Sequence, residues 1–73
     1  MRIKKGGLNA TGRWVNDWFL HRDGQKAISF QRLSDAKDES GHRGRWIMHC
    51  EPTGPRGKIV TVYEPANELE QPK

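Results

Sequence analysis

The sequence predicts a mostly β domain: two consecutive antiparallel β-hairpins forming a four-stranded sheet or a small half-barrel, with at most one short helix. Three observations carry this expectation. A phrase is used twice, as Gly12-Arg13-Trp14-Val15 and as Gly44-Arg45-Trp46-Ile47. At the same offset, Lys26-Ala27-Ile28-Ser29-Phe30 is answered by Lys58-Ile59-Val60-Thr61-Val62. Turn-forming residues separate the halves of each copy, Asp23-Gly24 in the first and Gly54-Pro55-Arg56-Gly57 in the second. The pattern reads as one hairpin duplicated, or as two unrelated hairpins of similar design.

Residues 1–11 open basic and turn glycine-rich. Arg2-Ile3-Lys4 suits a short edge strand, because lysines discourage edge-to-edge pairing, and Gly6-Gly7 should then break it. The alternative is a flexible arm. Residues 13–20 and 25–33 form the first predicted hairpin. Asp23-Gly24 favours a two-residue type I′ turn, which would set Leu20 opposite Ala27, Trp18 opposite Ser29 and Trp14 opposite Leu33. In that register both faces carry apolar groups, so each needs a cover.

Residues 34–41, Ser-Asp-Ala-Lys-Asp-Glu-Ser-Gly, separate the hairpins. Ser34 suits a helix N-cap and Gly41 a stop, but the stretch has almost no apolar anchor. A helical turn or two and a solvated loop are both compatible with it. Residues 43–51 and 58–64 form the second hairpin, with His49 opposite Val62 and Met48 opposite Tyr63. Pro55 suits the second position of the intervening turn and excludes type I′. Trp46, Met48, Cys50, Thr61 and Tyr63 then share one face; Ile47, His49, Val60 and Val62 share the other. Pro65 ends the last strand, and residues 66–73 should form a frayed tail. The predicted core is Trp14, Trp18, Phe30, Trp46, Met48, Ile59, Val60, Val62 and Tyr63.

Seventy-three residues make a single small domain, residues 1–73, whose core is marginal by surface-to-volume scaling. A mean hydropathy of -0.96 reinforces this. Self-association as a homo-oligomer, most simply a homodimer, is the expected remedy, since the lone Cys50 allows no internal disulfide. A single cysteine also suits a reducing, cytoplasmic setting. No apolar run is long enough for a membrane span, and no signal peptide is recognisable at the start.

The net charge of +4 favours nucleic acid or an acidic protein surface as partner. Arg22 and Lys26 flank the first turn, and Arg56 and Lys58 lie at the second. With Arg43 and Arg45, these cations could track phosphates, while strand aromatics could stack bases. Against this, basic residues near turns are commonly just solvated, and tryptophans in so small a chain commonly pack. The competing reading is a small regulatory or inhibitory protein, of the kind mobile elements carry, that docks on a larger protein through Trp18, Phe19, Ile47 and His49. Neither reading involves catalysis or a cofactor. His42, His49 and Cys50 lack the paired spacing of a zinc site, and neighbouring strand residues point to opposite faces. No nucleophile motif or phosphate-binding glycine loop is present.

Overall fold

The computed structural model describes residues 1–66. The chain forms β1 (Arg2–Leu8), β2 (Trp14–His21), β3 (Ile28–Phe30), α1 (Leu33–Ser40), β4 (Trp46–Glu51) and β5 (Val60–Pro65), with a 3-10 turn at Pro55–Gly57 between the last two. The sheet has five strands rather than four, in the order β3-β2-β1-β5-β4, and each described pairing is antiparallel.

The extra strand is the N-terminal segment. Expected at an edge or flexible, it lies at the centre, between β2 and β5. Gly6 does not break it. Gly6 takes φ +101, and the pairing with β2 shifts register between Lys5 and Gly7. A bulge of this kind keeps a strand in its sheet where a glycine interrupts the pleat. The two copies of the repeated phrase occupy different places. Trp14 opens an inner strand, whereas Trp46 opens an edge strand.

The second hairpin has the expected register, with His49 opposite Val62 and Met48 opposite Tyr63. The first does not. Trp18 lies opposite Phe30, Phe19 opposite Ser29 and Leu20 opposite Ile28. The two-residue turn gives way to a longer one, closed by the Gln25 amide donating to the Arg22 carbonyl at 3.2 Å. This slip of one residue places Trp18, Leu20, Ile28 and Phe30 on a single face, where the shorter turn would have divided them. Gathering four apolar side chains on one side outweighs the local preference of Asp23-Gly24.

The helix forms because Leu33 and Ala36, three residues apart, meet that face. Ala36 is fully buried against Ile3 and Leu20, with Trp18, Phe30, Trp46 and Tyr63 around them. Ser34 is not the cap. Arg32 holds the N-cap position with no side-chain hydrogen bond, and Gly41 ends the helix in the left-handed region at φ 78. The small aliphatics are the buried ones: Ile3, Leu20 and Val62 lie at 0–1% exposure, while Met48 and Ile59 are 57% and 59% exposed. The predicted core thus holds for Val60 and Val62, which are buried, and fails for Met48 and Ile59. Among the described residues no helix is long and apolar enough to cross a membrane. The predicted tail lies outside the described residues except for Ala66, which is buried and donates its amide to the Arg45 carbonyl at 2.9 Å.

Candidate nucleic-acid interface

The antiparallel pairings send the connections to two opposite ends. Residues 22–27 and 41–45 share one end, near the start of β1. Residues 9–13 and 52–59 share the other. The six cations read from the sequence are therefore divided. Arg22, Lys26, Arg43 and Arg45 belong to the first end; Arg56 and Lys58 belong to the second, which also holds Arg13. The longest dimension of the molecule is 40 Å, so the two hairpin tips do not form one compact patch. Arg22 is further tied to the helix, its guanidinium 3.7 Å from the Glu39 carboxylate and 3.5 Å from the Glu39 carbonyl.

Trp18, Phe30, Trp46 and Tyr63 lie on the helix-bearing face. Trp18 and Tyr63 meet edge to face at 5.8 Å across β1. Lys5 lies over Trp18, its ammonium 4.7 Å from the ring centre. Lys37 of α1 lies 5.0 Å from the Tyr63 ring and 5.8 Å from that of Trp46. His42 packs edge-on against Trp46 at 5.0 Å. Each ring in this row stays half-exposed, and each carries a cationic or imidazole neighbour. A lysine over an exposed ring contributes only about 0.5–1 kcal/mol to the fold. It also places positive charge beside half-exposed rings.

At the first end, the tail of α1 and the start of β4 enclose an open cleft of about 600 Å³. Lys37, Asp38, Gly41, His42, Arg43, Gly44 and Trp46 line it. The local chain is held firmly. The Ser40 hydroxyl donates to the Lys37 carbonyl at 2.6 Å and accepts the His42 amide at 3.1 Å, and the His42 ring hydrogen-bonds the Arg45 carbonyl at 3.0 Å. Of the cleft's cations only Arg43 is recognisable in the sequence as a binding candidate. Lys37 and His42 reach Trp46 because α1 crosses from the β3 edge toward the β4 edge. The faint signal for that crossing was the Leu33–Ala36 spacing.

The opposite face lies away from α1. There Arg2, His49, Glu51 and Glu64 form a polar cluster beside the fully buried Val62. The His49 ring lies 2.8 Å from Glu64 and 3.8 Å from Glu51, and Arg2 pairs with Glu51. The alternative partner-binding residues do not share a surface. Phe19, Ile47 and His49 lie on this face, Phe19 at only 6% exposure, whereas Trp18 lies on the helix-bearing one. Among the described residues no group of three or more His, Cys, Asp or Glu side chains could hold a metal ion. Cys50 is exposed on β4.

His21, half-buried on the same face, has its pKa lowered below 6.5 by burial, with the Lys4 and Arg2 charges adding to the effect. The unfolded chain then binds this proton more readily than the folded one. The neutral ring's stabilisation is present above pH 6.5 and is lost as the pH falls toward the folded pKa. Urea unfolding of wild type and His21→Gln across this range should show a smaller acid loss in the variant. An equal loss in both would assign the pH dependence to other groups.

No protein-family model, curated protein or solved structure matches the chain.

Proposed function

We propose that this domain is a non-enzymatic module that binds single-stranded nucleic acid on its helix-bearing face and at the adjoining basic end. The supporting observation is the cleft beside Trp46, where an aromatic wall stands next to Lys37 and the exposed Arg43. Cations beside half-exposed rings suit a strand whose phosphates and unstacked bases are both accessible. A duplex hides its base faces and would engage only the charges. The reading shifts the contact from the two turn tips to one end, retaining Arg22, Lys26, Arg43 and Arg45 and adding Lys5 and Lys37.

The test is anisotropy of a labelled oligonucleotide across a salt series. Single-stranded binding should weaken with a log–log slope of about -0.7 per neutralised phosphate. Arg43→Ala should lower affinity and make the slope shallower by about that amount. Failure to bind either single- or double-stranded nucleic acid at low salt would refute the proposal.

One observation favours a second reading. β4 is an edge strand of six residues, and its Met48 is 57% exposed. A larger protein could add a strand there, and this domain would then act as a small regulator. Such an interface, unlike phosphate binding, should change little with salt.

A further inference from the structure

We infer that the cleft between the end of α1 and the start of β4 is a base-selective subsite that prefers guanine. The inference rests on the single-strand reading above and goes further, because it names what the cleft reads. Its volume of about 600 Å³ falls within the range of small-ligand clefts, roughly 300–1,000 Å³. Its walls differ in chemistry. Trp46 supplies the flat apolar wall, and Lys37 and Arg43 supply the cations. The helix supplies the acceptor: the exposed Asp38 carboxylate, which lies at the C-terminal, negative end of the α1 dipole.

A phosphate would be repelled at the helix end, so the phosphate belongs with Arg43 and Lys37 and the base belongs inward. Stacked on Trp46, the base would turn its hydrogen-bonding edge toward Asp38. A carboxylate accepts hydrogen bonds and donates none. Guanine offers two adjacent donors, N1–H and the N2 amine, which match the two carboxylate oxygens. Cytosine and adenine each offer one amine beside a ring acceptor. Thymine and uracil place one N–H between two carbonyls, which face the carboxylate unfavourably. The expected order is therefore guanine first, cytosine and adenine next, thymine and uracil last.

The test uses the full chain and short thymine oligomers carrying one central dG, dC, dA or dT. The dG oligomer should bind about tenfold tighter than the all-thymine one, as a two-point base contact allows. Asp38→Asn should abolish that advantage. It should leave all-thymine affinity equal or slightly raised, since a negative charge is removed, and should preserve the salt slope. Asp38 is exposed, so circular dichroism should show an unchanged fold. If oligomers bind but the central base makes no difference, or Asp38→Asn keeps the guanine advantage, the subsite is refuted and single-strand binding stands. If no oligomer binds at all, both are refuted together.

Discussion

Ile3→Ala should destabilise the domain by about 3–4 kcal/mol, the cost of emptying a buried aliphatic site. Ile3 has no exposed surface and sits on the central strand, with Leu20 opposite on one side and Tyr63 on the other. Ala36 closes over it from the helix. Few neighbours are free to collapse into the space, because β2 and β5 flank the site on both sides and the helix covers it. A domain of this size is stable by only about 4–11 kcal/mol, at roughly 0.05–0.15 kcal/mol per residue. The substitution therefore removes a large share of the total, and the urea midpoint should fall steeply. Leu8→Ala on the same strand is the control. Leu8 is 64% exposed, and its loss should cost no more than about 0.5 kcal/mol. Similar midpoints for the two variants would contradict the central placement of β1.

Gly6→Ala should be nearly as damaging, for a different reason. A Cβ there would lie 2.5 Å from Cζ2 of the Trp14 ring, and φ is +101. Backbone strain contributes about 1–3 kcal/mol, and relieving the clash requires Trp14 to leave its seat. Gly12→Ala separates the two effects. Gly12 also has a positive φ, +80, yet nothing lies within 4 Å of its added Cβ. It should show the strain alone, about 1–2 kcal/mol. Near-ultraviolet circular dichroism should report Trp14 displacement in Gly6→Ala and not in Gly12→Ala. Equal losses without a tryptophan signal would show that the ring does not rest on Gly6.

These two residues also mark where the chain was hard to read. Lys4-Lys5-Gly6-Gly7 resembles an exposed, broken edge. In the fold Lys5 lies over Trp18, while the glycines leave room for the rings of Trp14 and Phe19. Composition alone does not reveal that a missing side chain is space reserved for another residue's ring. The second hairpin was legible because Pro55 restricts its turn and alternation separates its faces cleanly. The first was not, because a strong turn signal competed with burial and lost by one residue. The candidate site was half-visible. Trp46 and Arg43 stand close in sequence, but Asp38 and Lys37 join them only through a helix anchored by Leu33 and Ala36.

The middle of the sheet also sets the order in which the molecule can be finished. Ile3 leaves the ribosome well before its neighbour Tyr63, sixty positions further along the chain. At about 5–20 residues per second, the wait lasts several seconds. Throughout it one side of β1 has no partner strand, so the sheet cannot close until synthesis has passed β5. Assembly is then a single late event that joins distant parts of the chain, slower than the zipping of neighbouring hairpins.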